Sequence, residues 1–90
     1  MAGVVISGFD WDDANVSHIE RHQFTPEEVE EVFAGDYKVR RTRLKLYLAL
    51  GETLAGRLVF VVFRRSLGGV IRVVTARDMD DRERRLFRRK

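Results

Sequence analysis

Arg43, Lys45 and Tyr47 alternate with Leu44, Leu46, Leu48 and Leu50. A period of two is that of an extended strand, with leucine on one face and cations plus a phenol on the other. Arg41 keeps the same parity. If the leucines pack under helices, the cations and Tyr47 project from the far side of a sheet. Such a face suits single-stranded RNA, because phosphates pair with the cations and an unstacked base lies on Tyr47. Further cations sit nearby in the pattern. Arg72 and Arg77 belong to one apolar run, and Arg57, Arg64 and Arg65 sit at the ends of another. Each alone fits a solvated face whose long side chains lie over apolar strands; as a cluster they favour a polyanion.

His18 and His22 are spaced i, i+4, with Asn15 one turn earlier on the same side. Two imidazoles on one helix face are half of a zinc site. No cysteine and no zincin-type glutamate completes it, so no metal is expected. His22 stays a candidate acid or base because its ordinary pKa is near neutrality. His18 reads as helix surface. Asp80 is better explained as a helix cap, with Asp78 and Asp81 as charges near a helix start, than as a magnesium site. Gly68 and Gly69 follow Ser66 in a hairpin, so they do not form a phosphate-cradling loop. Nothing around Ser7, Ser17 or Ser66 marks a nucleophile.

Ninety residues make one domain, 1–90, and the absence of cysteine removes disulfide and thiolate chemistry. No apolar run approaches the length of a membrane helix, and the start lacks the pattern of a signal peptide, so a cytoplasmic protein is expected. The first strand spans Val4–Trp11, bent at Ser7 and Gly8. A short helix capped by Asp12 or Asp13 runs to about His22. Thr25-Pro26-Glu27-Glu28 is a capping box with proline at the first helical position, and Phe24 and Val29 form its staple. Val29, Val32 and Phe33 are the apolar stripe of that helix, which ends at Gly35. Strands follow at Tyr37–Thr42, along the leucine run, at Arg57–Arg65 and at Val70–Ala76. Asp80 and Glu83 cap a final arginine-rich helix. The order β-α-α-β-β-β-β-α predicts an α+β domain with a mainly antiparallel twisted sheet and helices packed on one face.

Charge is split along the chain. Residues 1–36 carry a balance of −8 and residues 37–90 one of +11. Only three of the seventeen basic residues are lysine. Arginine's planar fork binds phosphate bidentately, so this half is suited to a polyanion, and the acidic half to a basic partner.

Several short stretches in order resemble the BrnT family of type II toxins: Phe9-Asp10-Trp11-Asp12, Arg21-His22, Val32-Phe33, Gly56-Arg57-Leu58-Val59-Phe60, Ile71 to Arg77, and Glu83-Arg84. That family is similar in fold to the RelE-like ribonucleases, small α+β domains that cleave RNA without a metal and are neutralised by a cognate antitoxin. The chain departs from the family pattern at Arg21, commonly lysine, at Gln23, commonly glycine, and at Phe87, often tyrosine. The resemblance implies an RNA-cleaving enzyme that uses the RNA's 2′-hydroxyl and needs no cofactor. Arg43 and Arg77 would clamp the scissile phosphate, Tyr47 would stack a base or relay a proton, and His22 or Glu83 would serve as base or acid. Arg41, Lys45, Arg57, Arg72 and Arg84 would bind the RNA backbone. An antitoxin, encoded nearby, would be the protein partner in a hetero-oligomer, and a homodimer is a further assembly consistent with the pattern. The competing expectation is a non-catalytic module that binds nucleic acid or protein on the same scaffold.

Overall fold

The computed structural model describes residues 6–89. Its elements are β1 (Gly8–Phe9), α1 (Asp13–Glu20), α2 (Pro26–Ala34), β2 (Lys38–Arg41), β3 (Tyr47–Glu52), β4 (Leu58–Arg65), β5 (Val70–Asp78) and α3 (Asp81–Arg88), with a 3-10 turn at Leu67–Gly69. The expected order and α+β class are therefore observed. The strands form one sheet, β1-β5-β4-β3-β2. β1 runs parallel to β5, and the other three pairings are antiparallel. Val4 and Val5 of the expected first strand lie outside the described residues.

All three helices start with a capping box: Asp12 with Asn15, Thr25 with Glu28, and Asp80 with Glu83. Each box satisfies two backbone N–H groups that the first helical turn leaves without partners. α1 and α2 pack on one face of the sheet. Ile19, Phe24, Val29 and Val32 meet Ala49, Val59, Val61, Phe63, Ile71, Val73 and Ala76 there. β4 is the central strand, as its apolar residues on both parities require. Gly51 allows α2 to sit directly on β3, since a Cβ at that position would come within 2.5 Å of a Val32 methyl. Asn15 stitches α1 to the sheet: it is buried, and its Nδ2 donates to the carbonyls of Asp10 (2.8 Å) and Val73 (3.0 Å). It therefore faces the sheet and does not belong with His18 and His22. α1 stops at Glu20, so His22 lies in the turn beyond it.

The leucine run breaks the expected pattern. β3 begins only at Tyr47, and residues 42–46 form the β2–β3 turn, with Thr42 N–H donating to the Leu46 carbonyl at 2.8 Å. Lys45 has a left-handed φ of 61°, and Leu44 is 80% exposed at the tip. Neither Gly, Pro nor Asn marks this reversal, so alternation alone carried the strand too far. The faces are also exchanged. Ala49 and Gly51 point with Tyr47 to the side of α1 and α2, while Leu48 and Leu50 point to the other side. There α3 returns across the sheet. The expected single helical face thus holds for α1 and α2.

Gln23 adopts a φ of 66° in the α1–α2 turn. This is where glycine costs no side-chain clash, and it is where the resembled family commonly has glycine. Gln23→Gly is expected to raise stability by about 1 kcal/mol. Thermal melting of the two proteins checks this; a lower midpoint for the variant would show that the glutamine side chain itself supports the turn.

Candidate nucleic-acid interface

Antiparallel pairing sets one row of side chains across the face that α3 crosses. Lys38 opposes Leu50, Leu50 opposes Phe60, and Phe60 opposes Arg77. Directly opposed residues project to the same side. The Arg77 guanidinium lies 4.0 Å from the Phe60 ring centroid. Its two terminal nitrogens donate to the two carboxylate oxygens of Glu83 at 2.8 and 2.9 Å. Glu83 also accepts from the backbone N–H of Asp80 at 2.9 Å, so the carboxylate that closes the capping box also orients Arg77. Hydrogen bonding by Glu83 raises the Arg77 pKa further, partly opposed by burial. At the other end of the row, Lys38 Nζ donates to the carbonyls of Leu86 and Arg89, capping the C-terminal end of α3. Between β2, β3, β4 and α3 lies a groove of about 400 Å³ with an apolar floor of Leu48, Leu50 and Phe60 and a polar rim that includes Lys38, Arg40, Arg82 and Glu83.

Three further basic candidates already hold carboxylates. Arg57 pairs with Asp78 at 2.9 Å, lies 3.6 Å from the Phe24 ring centroid, and donates to the carbonyls of Gln23 (2.6 Å) and His22 (3.2 Å). It is a strap across the α1–α2 turn. Its hydrogen bond is the main cause that holds Asp78 below the ordinary aspartate range, with His22 adding a smaller attraction. Arg72 pairs with Asp12 (2.9 Å) and Asp10 (3.4 Å), and its hydrogen bond lowers the Asp12 pKa. Arg84 pairs with Asp81 at 2.7 Å. Arg41, Arg43 and Lys45 form no ion pair among the described residues.

The expected catalytic set is divided by the sheet. Arg77 and Glu83 are together. Tyr47 opposes Phe63 and stacks on it at 5.3 Å, on the side of α1 and α2. Phe60 and Phe63 differ in parity, so Arg77 and Tyr47 lie on opposite faces, and Arg77 does not reach the phenol. Arg43 is in the hairpin turn and shares no strand face with either Lys45 or Tyr47. His22 lies beside the Arg57–Asp78 pair, near the end of β5 but on the helix side. Its ring is 5.9 Å from that of His18. Lys38, Arg40, Phe60 and Arg82 were missed as groove residues. Lys38 and Arg40 share a parity in β2, but only the cross-strand register shows which face that parity meets.

Among the described residues, no group of three or more His, Asp or Glu side chains is arranged to hold a metal ion, and no helix is long and apolar enough to cross a membrane.

Comparison with known proteins bears on the fold and the family. A crystal structure of the ribonuclease toxin BrnT of Brucella abortus superposes with a TM-score of 0.66 at 19% identity, covering 82% of this chain and 97% of that one. That likeness shows the fold. No curated protein matches the chain. The family model described as the ribonuclease toxin BrnT of type II toxin-antitoxin systems matches residues 11–83. This span runs from the Trp11 side of the first cap through the sheet to Glu83, and the chain therefore belongs to the BrnT ribonuclease toxin family.

Proposed function

We propose that this chain is an endoribonuclease that cleaves RNA at the groove under α3, without a metal ion, and that a cognate antitoxin neutralises it. The observation that carries the site is the Arg77–Glu83 pair held over Phe60 on the face opposite α1 and α2. RNA carries its own nucleophile in the 2′-hydroxyl. The protein has to place the phosphate, stabilise the charge that grows on it, and move a proton. A phosphate in the groove competes with Glu83 for the Arg77 fork. Arg77 then holds the non-bridging oxygens, and the released Glu83 carboxylate accepts the 2′-hydroxyl proton. The 2′ oxygen bonds to phosphorus, the bond to the 5′ oxygen breaks, and that oxygen takes a proton from water. Lys38, Arg40 and Arg82 on the rim attract the flanking phosphates. RNA and antitoxin as partners place this work in the cytoplasm.

One observation favours a second reading. The same ion pair closes α3 onto the sheet, and its two charges satisfy each other. On that reading the chain is a binding scaffold with the same basic surface and no acid–base chemistry. Induced expression separates the two. A nuclease arrests growth, and co-expression of the antitoxin from the adjacent reading frame relieves the arrest. Unchanged growth, with intact RNA in the cells and soluble folded protein, would support the scaffold.

A further inference from the structure

We propose that the two hairpin tips at one end of the sheet form a docking cleft for single-stranded RNA, separate from the groove under α3. The proposal rests on the RNA-cleaving reading for its choice of polyanion. The β2–β3 turn and the β4–β5 turn lie at the same end, because Tyr47 at the start of β3 opposes Phe63 near the end of β4. Each hairpin spans two strands, so the centres of the tips stand about 10 Å apart. One tip carries Arg43 and Lys45; the other carries Arg64 on the Arg77 face and Arg65 on the Tyr47 face, so cations meet a strand from either side of the sheet end. None of the four forms an ion pair among the described residues. By contrast, Arg57, Arg72, Arg77 and Arg84 each hold a carboxylate. The sequence explains the difference. Between Asp36 and Asp78 the only acidic residue is Glu52, and it ends β3 at the opposite end of the sheet.

Aromatic and apolar surface accompanies this charge. Tyr47 is half-buried, stacked on Phe63, and the Arg65 guanidinium lies 5.8 Å from its ring centroid. Leu44 and Leu67 stand at the two tips, 80% and 97% exposed. Arginine forks for phosphates and flat or apolar surface for unstacked bases are what an RNA single strand requires, and a duplex keeps its base faces hidden. Phe63 lies three residues beyond Phe60 on β4, about 10 Å along the sheet. Phe63 and Tyr47 face away from Arg77, so a strand whose scissile phosphate sits at Arg77 reaches Arg64 on its own face first and meets Tyr47 by passing over the sheet end between the tips. The cleft sets how far the substrate must extend on one side of the cut.

The test uses the full chain and a single-stranded 2′-O-methyl oligonucleotide, which binds but lacks the nucleophile. The variant is R43Q/K45N/R64Q; asparagine is chosen at 45 because it tolerates the left-handed backbone there. If each of the three cations holds a phosphate, the slope of log affinity against log salt becomes shallower by about 2, at about 0.7 for each phosphate no longer neutralised. Affinity falls at least 10-fold. The wild type also binds this strand more tightly than the matching duplex or a poly-glutamate chain of equal charge. An unchanged slope and affinity overturn the cleft. So does equal or tighter binding of the duplex, or of poly-glutamate, which would mark the end as a protein-docking surface. Should the variant fail to fold, protection of Arg43 and Arg64 in the wild type against an arginine-selective dicarbonyl reagent answers the same question. Protection by the strand supports the cleft, and unprotected arginines overturn it. Since the strand is uncleavable, a chain that binds it through these residues but cuts no RNA refutes the nuclease reading and leaves the cleft standing.

Discussion

Glu83→Gln is expected to lower the rate of RNA cleavage by about 100- to 10,000-fold, the range for loss of a positioned general base, while the melting temperature falls by less than it does for Arg77→Ala. The two effects separate because glutamine also serves at the third helical position of a capping box. Its carbonyl oxygen still accepts from Asp80 N–H, and α3 keeps its start. The companion variant Arg77→Ala should lose about 100- to 1,000-fold in rate, as for one donor aimed at developing charge. It should also melt somewhat earlier, because Arg77 covers Phe60 and pairs with Glu83. Arg77→Lys should regain stability ahead of rate, since lysine keeps the charge and lacks the fork. Single-turnover cleavage and thermal melting on all three variants check this. If activity follows melting in every case, and Arg77→Lys restores both, the pair is an anchor for α3 and the chemistry lies elsewhere.

Phe24→Ala is expected to cost about 3 to 5 kcal/mol of folding stability, the range for removing a fully buried phenyl ring. Phe24 is 1% exposed, staples α2 with Val29, and supports the Arg57 guanidinium at 3.6 Å. Its loss removes core volume and the surface on which the Arg57 strap rests. Phe33→Ala should cost less. Phe33 is only partly buried, at the edge of the core against Phe9, Tyr37 and Phe63. Chemical denaturation of both variants gives the comparison; a Phe33→Ala loss as large as that of Phe24→Ala would misplace the centre of the core.

Helix starts were the most legible part of the fold. Thr25 and Asp80 act locally, each through a side chain that reaches three residues on to a glutamate, so sequence spacing is enough to find them, whereas for α1 the spacing left Asp12 and Asp13 both open. β4 was legible for a similar reason, because only a strand covered on both sides has apolar residues on both parities. The β2–β3 turn was not. Thr42 to Leu46 reverse direction without a turn residue, and the left-handed backbone falls on Lys45. Which leucine face meets α1 and α2 was also illegible, because parity gives two faces and only packing says which is covered. Here Gly51 decides it, by admitting Val32 against the strand.

The candidate site was half legible. Arg77 and Glu83 could be named from the end of β5 and the start of α3. Their grouping with Arg43 and Tyr47 failed, since it required four residues from several elements to share a face that the register divides. The pairings of Arg57 with Asp78 and of Arg72 with Asp12 span 21 and 60 residues. Pairing over such separations is a property of the folded chain and leaves no local trace.

On the proposed mechanism the RNA supplies its own nucleophile, with Arg77 and Glu83 as the working pair. The product ends left after cleavage by purified protein in excess chelator distinguish this from metal-assisted hydrolysis. Attack by the 2′-hydroxyl predicts a 2′,3′-cyclic phosphate on one fragment and a 5′-hydroxyl on the other, in undiminished yield. Cleavage that stops in chelator and returns with added divalent metal, leaving a 5′-phosphate and a 3′-hydroxyl, would contradict it.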